Sequence, residues 1–193
     1  MAVRHARGVL AWSFVLLVFL VAGATRLHFA HQPVSWFPEG DPTRIAIEAV
    51  DRVMRGSTNV EVVIDTGREN GLHEPEELHR IEAAMEMAEG LTVGPIFVGK
   101  ALSLVDIVKE SHEALNGGVP EARVSPDSRP VVSQELLLFE NGGSDDLGKF
   151  SDSQFRVARL SLRLPESDAV AYQPFLKELE TGLAETLDGL DYE

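Results

Sequence analysis

The sequence predicts a mixed α/β (α+β) fold that follows an N-terminal transmembrane helix. One observation behind this prediction is an uncharged apolar run near the N-terminus, and the other is an alternation of helical and strand patterns in the remaining chain. Strands separated by helices favour a sheet whose helices cover one face. Removing the first 31 of 193 residues leaves 162, which suffice for one domain with a hydrophobic core.

The uncharged run extends from Gly8 to Thr25 and contains 18 residues. As a helix with a rise of ~1.5 Å per residue it would be roughly 27 Å long, close to the ~30 Å hydrocarbon core of a bilayer. Arg7 and Arg26 close the run and are predicted to lie at the two membrane interfaces. Because Arg4 and Arg7 precede it, the positive-inside rule places the N-terminus in the cytoplasm. The predicted anchor side chains are Val9, Leu10, Trp12, Phe14, Leu16, Leu17, Phe19 and Leu20.

A secretory signal peptide is the alternative interpretation of this run. Its apolar portion spans 13 residues from Val9 to Val21, and Ala22-Gly23-Ala24 resembles an A-x-A cleavage site. Composition does not decide between a retained anchor and a cleaved leader. Both alternatives place the residues from about His31 onward outside the cytoplasm.

A connector separates the membrane run from the domain. Pro33 and Pro38 prevent a continuous helix there, and the side chains of Trp36 and Phe37 are suited to the membrane interface. The predicted segments are a cytoplasmic tip and transmembrane helix at 1–31, an interfacial connector at 32–41 and an extracytoplasmic domain at 42–193.

Capping residues and hydrophobic periodicity predict the elements of the domain. Asp41 is a predicted N-cap with Pro42 at the first helical position, and Ser103 with Asp106 resembles a capping box. The last helix carries one stripe of leucines. Four predicted helices begin near residues 42, 75, 104 and 131, the last helix carries Leu176, Leu179, Leu183 and Leu187, and the predicted strands cover 58–65, 95–98 and 155–164.

The charge distribution excludes nucleic acid as a partner. Residues 1–31 hold three arginines and no acid, whereas the rest of the chain holds 31 acids against 14 lysines and arginines, a net charge of −17. A domain this acidic repels polyanions. The chain has no cysteine, so it contains no disulfide.

No residue pattern indicates catalysis or a bound cofactor. No Gly-rich phosphate loop follows a strand, and there is no nucleophile elbow. His73 and His79 share no helix face, and His112 lies among acids, so we expect solvated histidines instead of metal ligands. The sequence therefore predicts no catalytic, cofactor-binding or metal-binding residues, and a protein that is not an enzyme.

Five segments stand in a fixed order along the chain: WFPEGDP, TNVEVVIDTGRENGLHEPEEL, ALSLVDIVK, SRPVVSQELLLFENGGSDDL and FRVARLSLRLP. Together with the preceding apolar helix, they resemble the MMPL-type exporters of the resistance–nodulation–division (RND) superfamily. The resemblance extends from roughly Arg7 to Glu193 and is somewhat better to the start of the second half of these transporters.

The resemblance implies a ferredoxin-like, porter-type domain in the periplasm, attached to the bacterial inner membrane by one helix. It implies a proton-driven exporter of hydrophobic or amphiphilic molecules such as lipids and drugs. The implied partners are the lipid bilayer, the exported substrate and the remaining membrane helices and porter domains of the transporter. The family's proton-coupling acids lie in membrane helices that this sequence does not contain, so the chain alone is not expected to transport.

Two further expectations complete the prediction. The alternative function is an autonomous membrane-tethered or secreted domain that binds a lipid or a partner protein.

The last helix is predicted to extend to Gly189, and the four residues that follow are fewer than the ~5–6 of an ordinary strand. We therefore expect the domain to lack its closing strand.

Overall fold

The computed structural model describes residues 6–24, 33–142 and 147–193. The chain divides into two units between residues 31 and 32. In the first unit, helix α1 extends over Ala6–Ala24. The second unit is a mixed α+β domain, as predicted.

The strands of the second unit form a four-stranded antiparallel sheet and a small hairpin. The sheet has the order β4-β5-β1-β6, with the long strands β1 and β5 at its centre. Hairpin strands β2 and β3 lie between α3 and β4 in the chain. The strand bounds are β1 Thr58–Asp65, β2 Thr92–Val93, β3 Ile96–Phe97, β4 Lys100–Leu102, β5 Val157–Leu164 and β6 Asp191–Tyr192.

The sheet contains two strand–helix–strand units, β1–α3–β4 and β5–α7–β6. Helix α3 leads from β1 to β4, and α7 leads from β5 to β6, while α4, α5 and the short α6 lie between β4 and β5. Helix α2 precedes the first strand. The helix bounds are α2 Pro42–Met54, α3 Pro75–Gly90, α4 Leu104–Leu115, α5 Arg129–Asn141, α6 Leu147–Phe150 and α7 Ala169–Thr186.

The core lies between one face of the sheet and the helices. On that face Val62 pairs with Leu160 and Ile64 pairs with Ala158, and all four side chains are buried. Helices α3, α4 and α7 contribute further buried side chains to the same core. The opposite face of the sheet is polar, because strand residues alternate in direction. The prediction of one helix-covered face is confirmed.

Both predicted helix caps are confirmed. The carboxylate of Asp41 accepts a hydrogen bond from the Thr43 N–H at 2.8 Å. The Ser103 hydroxyl accepts from the Val105 N–H at 3.1 Å, and the Asp106 carboxylate accepts from the Ser103 N–H at 3.0 Å, which completes a capping box. Each side chain satisfies N–H groups that the first turn of a helix leaves unpaired.

The strand predicted at 95–98 is confirmed at Ile96–Phe97, but its implied place in the main sheet is wrong. The chain turns at Gly94, whose φ is +59°, so residues 92–97 make the β2–β3 hairpin. The strand that joins the sheet follows at Lys100–Leu102 and pairs with β5. An apolar run predicts that a segment is buried, but it does not show which strand that segment pairs with.

The expectation that the domain lacks its closing strand is also wrong. Helix α7 ends at Thr186, before Gly189, and Gly189 then turns the chain with a φ of +85°. Strand β6 pairs with the end of β1, and beyond it Glu193 and Val63 exchange two backbone hydrogen bonds of 2.8 and 3.0 Å. The last residues therefore pair with the edge of β1 at residues 63–65, the end of that strand.

Candidate functional site

Helix α1 presents apolar side chains on all sides, a pattern typical of helices that have no aqueous face. Its large apolar side chains from Val9 to Val21 are between 52% and 77% exposed. All eight predicted anchor residues belong to this set: Val9, Leu10, Trp12, Phe14, Leu16, Leu17, Phe19 and Leu20. Across residues 6–24, 33–142 and 147–193, no helix reaches both the length and the apolarity that crossing a membrane requires.

The predicted interfacial residues are described only in part. Arg26 lies outside the described residues, and of Arg7 the structure describes the helical backbone and not the side chain. Trp36 ends a 3₁₀ turn, Pro33–Trp36, and is 71% exposed, while Phe37 is 38% exposed. Both aromatic side chains are therefore accessible immediately before α2.

A cleft of about 510 Å³ lies beside α2. Its walls are the 3₁₀ turn, the charged side of α2, Phe97 of the hairpin and the segment that follows β5. Three arginines line it, together with acids that partly neutralise them. The lining charged residues are Arg44, Glu48, Asp51, Arg52, Arg55 and Glu166.

Asp51 is the residue that ties α2 to the domain. One of its carboxylate oxygens accepts from the Ser57 hydroxyl at 2.7 Å and from the Glu166 N–H at 2.9 Å. At the end of the same helix, the Arg55 guanidinium lies 5.7 Å from the centre of the Phe97 ring, within the range of a cation–π contact. Among the acids of the cleft, Asp51 is thus the one that holds α2, whereas Glu48 pairs with Arg44 and the Glu166 carboxylate accepts from the Thr58 hydroxyl.

His73 is half-buried instead of solvated, contrary to the expectation. Its Nδ1 lies 3.0 Å from the Ser133 hydroxyl oxygen, and its ring centroid lies 4.9 Å from that of Phe155. Burial, and then the positive charge of Arg129, lower the pKa of His73 below its usual value. Its Nε2 is buried and has no hydrogen-bond partner among the described residues.

His112 also has a partner that its sequence neighbours did not indicate. Its Nδ1 lies 2.6 Å from Glu135 Oε1, and Glu135 on α5 is only 3% exposed. This pair joins α4 to α5 across 23 positions of sequence. His79 alone follows the expectation, because its side chain is 45% exposed and lies 3.5 Å from the exposed Asp127.

Glu82 makes a second polar connection between the helices. Its carboxylate accepts from Lys109 on α4 and from the Ser125 hydroxyl at 2.7 Å. Burial by itself raises the pKa of Glu82, but these two hydrogen bonds outweigh burial and leave the pKa below its usual value. The connection is a structural one, since nothing reactive adjoins it.

The described histidines and acids do not assemble a metal site: among residues 6–24, 33–142 and 147–193, no group of three or more has a suitable arrangement.

Comparison of the chain with protein-family models, curated proteins and solved structures gave no match.

Proposed function

We propose that this chain is a membrane-anchored periplasmic domain that forms part of an MMPL-type exporter of the RND superfamily. Helix α1 inserts into the bacterial inner membrane with its N-terminus in the cytoplasm. The residues from about His31 onward lie in the periplasm, and the domain lines a path for hydrophobic or amphiphilic molecules. The apolar surface of α1 is the observation that carries the proposal.

The exposed apolar surface of α1 favours insertion into a membrane. Eleven large apolar side chains between Val9 and Val21 are each more than half exposed. Complete burial of such a side chain is worth ~1.5–3 kcal/mol. Moving their exposed portions from water into lipid therefore favours insertion by roughly 10 kcal/mol, which is comparable to the total stability of a folded domain.

The strand order of the domain supports the porter part of the proposal. Two strand–helix–strand units interleave into the order β4-β5-β1-β6, with antiparallel neighbours throughout. This is the arrangement of ferredoxin-like sheets, which the resemblance to RND porter domains implies. The proton-coupling helices of such a transporter lie in its other parts, so this chain does not transport by itself.

An autonomous tethered or secreted binding domain is the second candidate. The observation that favours it is β6, because the domain closes its own sheet edge with Asp191 and Tyr192. This pairing comes from the same chain, and it covers the end of β1 without a strand from another part of a transporter.

Immunoblotting of native membranes with an antibody against the domain distinguishes the two candidates. The exporter proposal predicts that the domain is found in a polypeptide much larger than 21.1 kDa, or that it co-purifies in mild detergent with a multi-span membrane protein. A species of 21.1 kDa that purifies without any such partner would support the autonomous domain.

A further inference from the structure

We propose that the exposed apolar face of α2 lies on the surface of a lipid bilayer. This proposal rests on the membrane anchoring proposed above, and it assigns a second membrane contact to the domain itself. Helix α2 has no buried residue, although it is strongly amphipathic. In a soluble domain, the apolar face of such a helix ordinarily faces the core.

The apolar side chains of α2 gather on one side of the helix. At ~100° per residue, Ile45, Ala49 and Val53 lie within roughly 80° of one another. Val53 is 82% exposed and Ile45 is 55% exposed. Val50 and Met54 widen the same face and are 48% and 47% exposed.

The domain holds α2 by its charged side, so the apolar face is directed outward. The Asp51 carboxylate accepts from Ser57 and Glu166, and the Arg163 guanidinium donates to the Met54 carbonyl at 3.5 Å. Rotating the helix to bury its apolar face would break these contacts. The outward direction is therefore built into the packing of the domain.

The charge of α2 is more compatible with a lipid surface than the charge of the rest of the domain is. Residues 42–55 carry three arginines against two acids, whereas the chain after residue 31 has a net charge of −17. The net charge of this helix is only +1, and the N-cap Asp41 reduces it to zero, so anionic headgroups repel this helix far less than they repel the remainder of the domain. Arg52 is exposed and adjoins the apolar face, so its stem can extend beside that face and place the guanidinium group among the headgroups.

The position of α2 in the chain points to the same occupant. Only 16 residues separate Thr25, the end of the uncharged run, from Pro42 at the start of α2. The exposed Trp36 and Phe37 lie between them, and such side chains concentrate at membrane interfaces. An amphipathic helix of this kind lies in the interface plane with its apolar face about 5–10 Å inside the headgroup boundary.

Site-directed spin labelling of the full chain tests the proposal. The natural sequence has no cysteine, so Val53→Cys provides a single nitroxide site, with Ala46→Cys as a second site on the same face. Val170→Cys is the matched control, because Val170 is an equally apolar residue that is 50% exposed on α7. The protein is reconstituted into vesicles of phosphatidylethanolamine and phosphatidylglycerol, and label depth is measured from collisions with oxygen and with a water-soluble nickel chelate.

The proposal predicts a label at Val53 about 5–10 Å inside the phosphate level and a label at Val170 in water. If the protein stays in the vesicles and both labels are in water, the α2 proposal is wrong while the anchor proposal stands. If the labels at Val53 couple to one another even at high lipid excess, the face binds a second copy instead. Failure of the chain to remain in the vesicles would contradict the anchor proposal itself.

Discussion

Removing the last four residues tests how far β6 stabilises the domain. Truncation after Gly189 deletes the two backbone hydrogen bonds between Val63 and Glu193, each worth about 1 kcal/mol. It also deletes the partly buried side chains of Leu190 and Tyr192, which pack against the core and contribute about 1 kcal/mol each. We expect the free energy of unfolding to fall by about 3–4 kcal/mol.

Urea denaturation of the detergent-solubilised chain, followed by far-ultraviolet circular dichroism, measures this loss. With a slope near ~2 kcal/mol per molar urea, the midpoint should fall by roughly 1.5–2 M. Glu193→Ala is the matched control, because it keeps the backbone bonds and removes only an exposed side chain. If truncation moves the midpoint no further than this control does, β6 does not stabilise the sheet and the reasoning is refuted.

Three further predictions concern single positions and use the same denaturation assay. Ser103→Ala should cost about 1 kcal/mol, because the hydroxyl caps α4; an unchanged midpoint would contradict the cap. Gly56→Ala should cost more than about 2 kcal/mol, because φ is +140° and a Cβ would lie 2.6 Å from the Leu164 carbonyl oxygen. Gly40→Ala, where φ is +88° in open space, should cost less, and the reverse order would refute the steric argument. The pKa of Glu82 is lowered in the folded state, so ionised Glu82 stabilises the fold fully above about pH 5, and this stabilisation is lost as pH falls through the folded-state pKa. In Glu82→Gln, the free energy of unfolding should therefore depend less on pH between about pH 5 and pH 3. An unchanged pH dependence would show that Glu82 does not contribute to stability in this way.

Local sequence signals predicted the regular elements of the domain because their causes are local. The Ser103 and Asp106 side chains bond to N–H groups within the same turn, so spacing alone reveals the cap. The alternation of Val60, Val62 and Ile64 with polar residues likewise reflects one strand with one dry face. In each case the pattern contains the whole physical reason for the structure.

Periodicity failed where the outcome depended on distant partners. The apolar spacing of α2 predicted a helix, but it did not show that Asp51 would fix the charged side toward the domain. Similarly, His112 stands next to Glu113 in sequence and yet bonds to Glu135, 23 positions away. The closing strand was missed because two residues of backbone pairing at Asp191–Tyr192 leave no hydrophobic pattern of their own.

Retention of α1 as a membrane anchor is the central claim, and the intact mass of the protein extracted from membranes tests it most directly. The proposal predicts that the protein resists extraction by alkaline carbonate and that its mass includes residues 1–24, despite the sequence Ala22-Gly23-Ala24. A mature N-terminus at Thr25, found on a protein released freely from the periplasm, would contradict it.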